Sequence, residues 1–135
     1  MIVGIGMDVV LLEEFMASVD GQPGRYVERI FTPYEIAEAK ARSDPYQVLA
    51  ARLAAKEAFM KSIGTGWTDR VDWLLIEVRN HDSGQPFIEL SGSTKDLAEN
   101  SGVTQIHISM SHTPLLASAF VVLEGAATQA PHLGA

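Results

Sequence analysis

Apolar positions recur along this chain with two different periods, and the switches between them divide it into segments. Residues 2–10 (IVGIGMDVV) are rich in β-branched side chains and glycine and carry no charge before Asp8, the pattern of a buried strand. Residues 11–20 take helical spacing, DGQPGR at 20–25 is a turn, and RYVERIF at 25–31 adds a further helical turn. Thr32-Pro33-Tyr34-Glu35 has the spacing of a capping box with proline at the first helical position, which predicts a helix from there to about Arg42. Ser43-Asp44-Pro45 stops it. Tyr46 to Ile63, rich in Ala, Leu, Lys and Glu and closed by Gly64-Thr65-Gly66, carries the strongest helical signal. Beyond it, 73–79 and 86–90 read as strands joined by the turn-forming NHDSGQ, and 91–101 as a helix. Residues 105–111 and 116–123 read as a hairpin around His112-Thr113-Pro114. Five strands interleaved with helices predict an α+β fold, a single domain in which an antiparallel-rich sheet packs against the long central helix. The domain is expected over 1–124, with 125–135 as a flexible tail.

Composition narrows the class without changing that picture. The chain has 135 residues, 47% hydrophobic and 20% charged, enough for one domain with its own core. The absence of cysteine removes disulfides, thiolate zinc sites and a cysteine nucleophile, and it is compatible with the reducing cytoplasm, the expected location. No apolar stretch approaches the length of a bilayer span, and the opening residues lack a basic n-region and a small-residue exit. Neither a membrane helix nor a signal peptide is expected. A net charge of −7, from 17 acidic and 10 basic residues, disfavours non-specific nucleic-acid binding. Arg52, Lys56 and Lys61 nevertheless form a cationic stretch at helical spacing, whereas residues 71–135 carry only Arg79 and Lys95.

Candidate chemistry concentrates on that central helix and on the first strand. Helical periodicity puts Leu49, Leu53, Met60 and Ile63 on one arc, an ordinary core stripe, and Ala50, Ala54, Glu57 and Lys61 on the opposite side. Small residues around two charges would admit another element or a ligand. On spacing alone, an exposed i,i+4 ion pair is the better reading of Glu57 and Lys61. Lys56 points into the apolar arc, where its stem either snorkels past the core or finds a carboxylate. Asp8 shares a strand face with Ile2, Gly4, Gly6 and Val10, and a carboxylate there must be hydrogen-bonded, paired or metal-bound. A capping role would also explain it. If Asp8 and Glu57 met, they would offer the hard oxygen site typical of Mg²⁺, completed by water and a substrate phosphate. His112 has an accessible ring at the hairpin, and His107 alternates with Ser109 and Ser111 on a polar strand face. Ser111 has no G-x-S-x-G setting, and Gly4-Ile5-Gly6 lacks the third glycine of a dinucleotide fingerprint.

The blocks IVGIGMDVV, FTPYEI, ARLAAKEAFMKSIGTG and HISMSHTPLLASAFVVLE, in this order, resemble the holo-acyl carrier protein synthase family of 4′-phosphopantetheinyl transferases. The resemblance spans residues 1–124. It implies that family's fold, and transfer of 4′-phosphopantetheine from coenzyme A to a serine of apo-acyl carrier protein, with release of adenosine 3′,5′-bisphosphate. It also implies Mg²⁺ held by Asp8 and Glu57, Lys61 facing the coenzyme phosphates, His112 donating on the phosphate side, and Gly64 and Gly66 letting the backbone pass close to the nucleotide. The general base stays open among Glu57, a water on the metal, and Glu35 through a water, although the capping box accounts fully for Glu35. The resemblance further implies a homotrimer with a site at each subunit interface, to which Asp8 and His112 come from different chains. It leaves the carrier open between fatty-acid and polyketide types. The chain departs from the family by carrying Glu13 and Glu14 where a basic carrier-binding residue is usual, while Arg25 and Arg29 match later members of the basic set. A weaker preference for strongly acidic carriers is therefore expected. Two other readings use the same residues: another metal-dependent phosphotransferase, and a non-catalytic trimeric binding module of the same fold.

Overall fold

A computed structural model describes residues 1–22, 24–64 and 70–126. The chain opens with strand β1 (Ile2–Leu11), followed by helices α1 (Leu12–Gly21), α2 (Tyr26–Ile30), α3 (Pro33–Lys40) and α4 (Pro45–Ser62). After a 3-10 turn at Trp73–Leu75 come β2 (Ile76–Asn80), β3 (Pro86–Leu90), α5 (Gly92–Asn100), β4 (Val103–His112) and β5 (Leu116–Gly125). The five strands, expected in one sheet, form two antiparallel ones, a larger one in the order β1-β5-β4 and a separate β2-β3 hairpin whose strands pair only with each other. The expected boundaries hold closely, with two differences. Trp73–Leu75 is not strand, because the Asp72 carboxylate accepts from Leu74 N at 3.0 Å and turns the backbone before Ile76 begins the ladder. β5 runs through Gly125, and the expected tail from 127 on lies outside the described residues.

Helix α4 is the centre of the molecule. Asp44 caps its start by accepting from Gln47 N, with Pro45 in the first turn where a missing N–H costs nothing. The expected stripe of Leu49, Leu53 and Met60 is buried, but so is the alanine side opposite. Ala54 and Ala58 belong to a cluster with Ala119, Val121 and Leu123 of β5, and Ala50 to one with Phe15, Phe31 and Ala117. A helix buried all round is a core helix, held here between the larger sheet and the layer of α1, α2 and α3. The helix lies almost on the backbone of β1. A Cβ on Gly4 would stand 2.0 Å from Ser62 O, and one on Gly6 1.9 Å from Ala58 O. Only glycine permits this approach, and it is what brings the strand's next inward residue, Asp8, alongside the end of α4.

The other face of the larger sheet is uncovered in the monomer. Ile5, Met7, Val9 and Leu11 of β1 are exposed there beside Phe120 of β5. Across β5, β4 presents exposed His107, Ser109 and Ser111, the expected polar stripe.

Candidate active site

Asp8 lies 12% exposed, and its Oδ1 accepts from the Lys61 ammonium at 2.9 Å. Lys61 also donates to Met7 O at 3.1 Å, so the exposed Lys61 pairs with the strand aspartate across to β1. The second oxygen of Asp8, Oδ2, is buried without a hydrogen-bond partner. Glu57 stands beside it. Its carboxyl is pushed up to about 8 by burial first, then by a hydrogen bond to Asp8 and that carboxylate's charge, with Lys61 pulling the other way. Two neighbouring carboxylates, one with an orphaned oxygen, form a site that calls for positive charge. Among the described residues no third metal-ligating side chain joins them. Two carboxylates with other positions left to water and phosphate are the donor set that suits Mg²⁺. The residues present therefore fit the ion.

Arg52 lies on the opposite flank of α4, since five residues separate it from Glu57. It is 3% exposed, and its Nη2 donates to Asn80 Oδ1 at 2.8 Å while Nε and Nη1 are buried with no partner. Arg52 and Asn80 line a cavity of about 260 Å³ together with Arg42, Gln47 and His112. Burial pushes the Arg52 guanidinium down, the charges of Glu35 and Glu38 pull it up, and Arg42 pushes it down again. His112 ends β4 in register with Ala117, on the α4 side of the sheet, and points into this cavity rather than toward Asp8. The sequence displayed Arg52 only as one of three cations at helical spacing. Its flank was computable, but its lack of a carboxylate partner was not.

A second cavity, of about 530 Å³, is lined by Tyr26, Arg29, Ile30 and Trp73. Burial and the charge of Glu57 both raise the Tyr26 phenol, which places that ring within electrostatic reach of the carboxylate pair. Tyr26 carried no signal in the sequence beyond an amphipathic turn.

Glu35 is excluded as a general base. It is fully buried, its Oε1 accepts from Thr32 N at 2.9 Å and from the Lys56 ammonium at 2.7 Å, and its Oε2 accepts from Val78 N at 2.8 Å. The capping box is present with both of its bonds. Lys56 has thus found its carboxylate, and it also donates to Ile30 O and Trp73 O. Gly64 ends α4 at φ +82, a left-handed position that favours glycine. Gly66 lies outside the described residues.

Residues 4–118 match the family model of the 4′-phosphopantetheinyl transferase superfamily. The chain is 41% identical over 124 residues to the holo-[acyl-carrier-protein] synthase of Halothermothrix orenii, an alignment covering 92% of this chain and 98% of that protein. Its structure is similar to that of the holo-[acyl-carrier-protein] synthase of Neisseria meningitidis, with a TM-score of 0.87, 34% identity, and coverage of 92% and 99%. It is also similar to the Bacillus anthracis synthase solved in complex with CoA (3′,5′-ADP), with a TM-score of 0.77, 38% identity, and coverage of 93% and 99%.

Proposed function

The chain belongs to the 4′-phosphopantetheinyl transferase superfamily, among the holo-[acyl-carrier-protein] synthases, and from that premise we propose that it transfers 4′-phosphopantetheine from coenzyme A to a serine of apo-acyl carrier protein. The observation that carries the reading is the convergence of Asp8 and Glu57, forty-nine positions apart, into one carboxylate pair with an orphaned oxygen. Those carboxylates would hold Mg²⁺, which would supply positive charge against the coenzyme diphosphate and so lower its repulsion toward an incoming nucleophile. The serine oxygen attacks the β-phosphorus, the bond to the bridging oxygen breaks, and adenosine 3′,5′-bisphosphate leaves. Lys61, exposed and close to the pair, lays a point charge on the phosphate side. Of the two glutamates weighed as base for the serine proton, Glu57 is the one beside Asp8, whereas Glu35 is sealed in the core.

The nucleotide end of coenzyme A fits the cavity of Arg42, Arg52 and His112, where a buried guanidinium with two unused donors calls for a dianionic acceptor. His112 donates there to phosphate. This cavity and the carboxylate pair lie on opposite flanks of α4, at the β4 and β1 edges of one sheet. One coenzyme reaches both when the β1 edge of one copy stands beside the β4 edge of another. The exposed apolar row of Ile5, Met7, Val9, Leu11 and Phe120 supports such self-assembly, and a closed ring of three copies gives three equal sites. Mixing the Asp8→Ala variant with the His112→Ala variant is expected to restore part of the activity that each lacks, through intact sites built from complementary chains. Failure of mixed, exchanged subunits to recover any activity would place both residues in the same chain's site.

The cavity of Tyr26 and Arg29 on the Glu57 side suits the approaching carrier. Glu13 and Glu14 are exposed in the first turn of α1, so attraction for an acidic carrier is expected to be weaker than Arg25 and Arg29 alone would give. The direct test incubates the protein with coenzyme A, Mg²⁺ and apo-carriers of fatty-acid and polyketide type and reads intact mass. Gain of one phosphopantetheine on the carrier serine is the expected result. Consumption of a different diphosphate with coenzyme A untouched would favour another phosphotransferase, and no Mg²⁺-dependent modification would favour a binding module.

A further inference from the structure

We propose that Asn80 is a positioning and specificity-determining residue, whose neutral amide aims the Arg52 guanidinium and leaves its charge uncompensated for a phosphate monoester, the 3′-phosphate of coenzyme A. The inference rests on reading the Arg52 cavity as the nucleotide end of the coenzyme site. A buried arginine is ordinarily paired with a carboxylate. Arg52 instead donates to an amide oxygen, and its Nε and Nη1 stay without partners. The amide's orientation is fixed by chemistry. Asn80 Nδ2 donates at 2.8 Å to Gly84 O, a group that can only accept, so the Oδ1 must face Arg52. Asn80 itself is placed by the end of β2, where it pairs with Pro86 across the hairpin.

The rest of the cavity has the same sign. Arg42, Gln47 and His112 line it with donors or cations, and among the described residues no carboxylate does. Glu35 and Glu38 reach Arg52 only through space. An aspartate at position 80 would have nearly the shape of the asparagine and would accept the same bond from Arg52. It would also cancel that charge and repel a phosphate. The choice of amide over acid is therefore what keeps the cavity selective for an anion.

The test measures binding of adenosine 3′,5′-bisphosphate and adenosine 5′-monophosphate by calorimetry, together with KM and kcat for coenzyme A, in the native protein, Asn80→Asp, Asn80→Ala and Arg52→Gln. The native protein is expected to prefer the 3′-phosphorylated nucleotide. Asn80→Asp should lower that preference by about tenfold or more, Arg52→Gln by a similar factor, and Asn80→Ala by less, as expected for loss of a charge-assisted contact. Asn80→Asp should raise KM more than it lowers kcat. Aspartate and alanine both lose the bond to Gly84, and aspartate is the closer isostere, so a merely structural Asn80 would make alanine the worse variant. An aspartate variant that keeps the preference, or an alanine variant at least as damaging to it, overturns the proposal and leaves the cavity assignment standing. Should Asn80→Asp not fold, an unchanged preference in Arg52→Gln overturns it equally. Indifference of the native protein to the 3′-phosphate overturns the cavity assignment itself, and the proposal with it.

Discussion

Lys56 and Glu57 are adjacent in the chain and both charged, and α4 sends them to environments that treat charge in opposite ways. Lys56 turns away from the larger sheet into the layer of α2 and α3. There its ammonium is fully buried and donates to Glu35, Ile30 O and Trp73 O, three acceptors for three protons. Burial pushes the ammonium down, and the Glu35 charge pulls it back up. Glu35 is equally saturated, tying the start of α3 to Val78 of β2. Glu57 turns toward β1, only partly covered, and meets a second carboxylate whose Oδ2 has no donor at all. A satisfied buried network fixes a fold. An unsatisfied one beside solvent waits for a ligand. Within one dipeptide, one charge is fully satisfied and the other is not.

The largest effect expected on the unsatisfied side is loss of turnover. Asp8→Ala and Glu57→Gln should each reduce carrier modification by about a thousandfold while urea unfolding stays cooperative, because each removes a ligand for transition-state charge. Near-normal turnover in either variant would mean that the unsatisfied pair plays no part in the reaction. On the satisfied side the expected loss is of stability. Lys56→Met strands the Glu35 charge in the core and should cost about 3–5 kcal/mol in urea unfolding. A loss within experimental error would mean that the network contributes nothing to the fold. Lys61→Ala should be milder, lowering turnover about tenfold through one charge-assisted contact while unfolding is hardly altered.

Much of this contrast was legible in the sequence, in uneven parts. The capping box of Thr32 and Glu35 is local, and both of its bonds are present. Asp8 stood out because a charge at that point of an uncharged strand needs a reason, and Gly4 and Gly6 hinted at a close neighbour that proves to be α4. The sidedness of α4 was not legible. Periodicity marks the leucine stripe as core and the alanine side as open, but alanine is also what a helix carries where it lies on a strand's backbone. The pairing of Lys56 with Glu35 is a long-range contact that no local spacing encodes. The same holds for the Arg52 cavity, which β2 and β4 complete from far along the chain. At Trp73–Leu75, apolar content suggested a strand, and the Asp72 cap made a 3-10 turn instead.

The smallest effect concerns the cost of holding Glu57 in place without a metal. Its carboxyl is raised from an ordinary 4.5 to about 8 by burial and by its hydrogen bond to Asp8. Between those values the unfolded chain has released the proton and the folded chain retains it, so the unfolded state binds fewer protons and stability falls as pH rises across the window. Above about 8 the folded group ionises too, and the penalty stops growing. Glutamine has no proton to lose. In chelator-treated protein, Glu57→Gln should therefore raise the urea midpoint, with a gain that is small at pH 5 and larger at pH 8. Partial exposure screens the effect and keeps it well below what the full shift would give. Such a variant would be more stable and inactive, the signature of a residue kept for chemistry at the expense of the fold. A gain independent of pH would show that burial and Asp8 do not raise the Glu57 carboxyl, and would remove the electrostatic half of the contrast with Lys56.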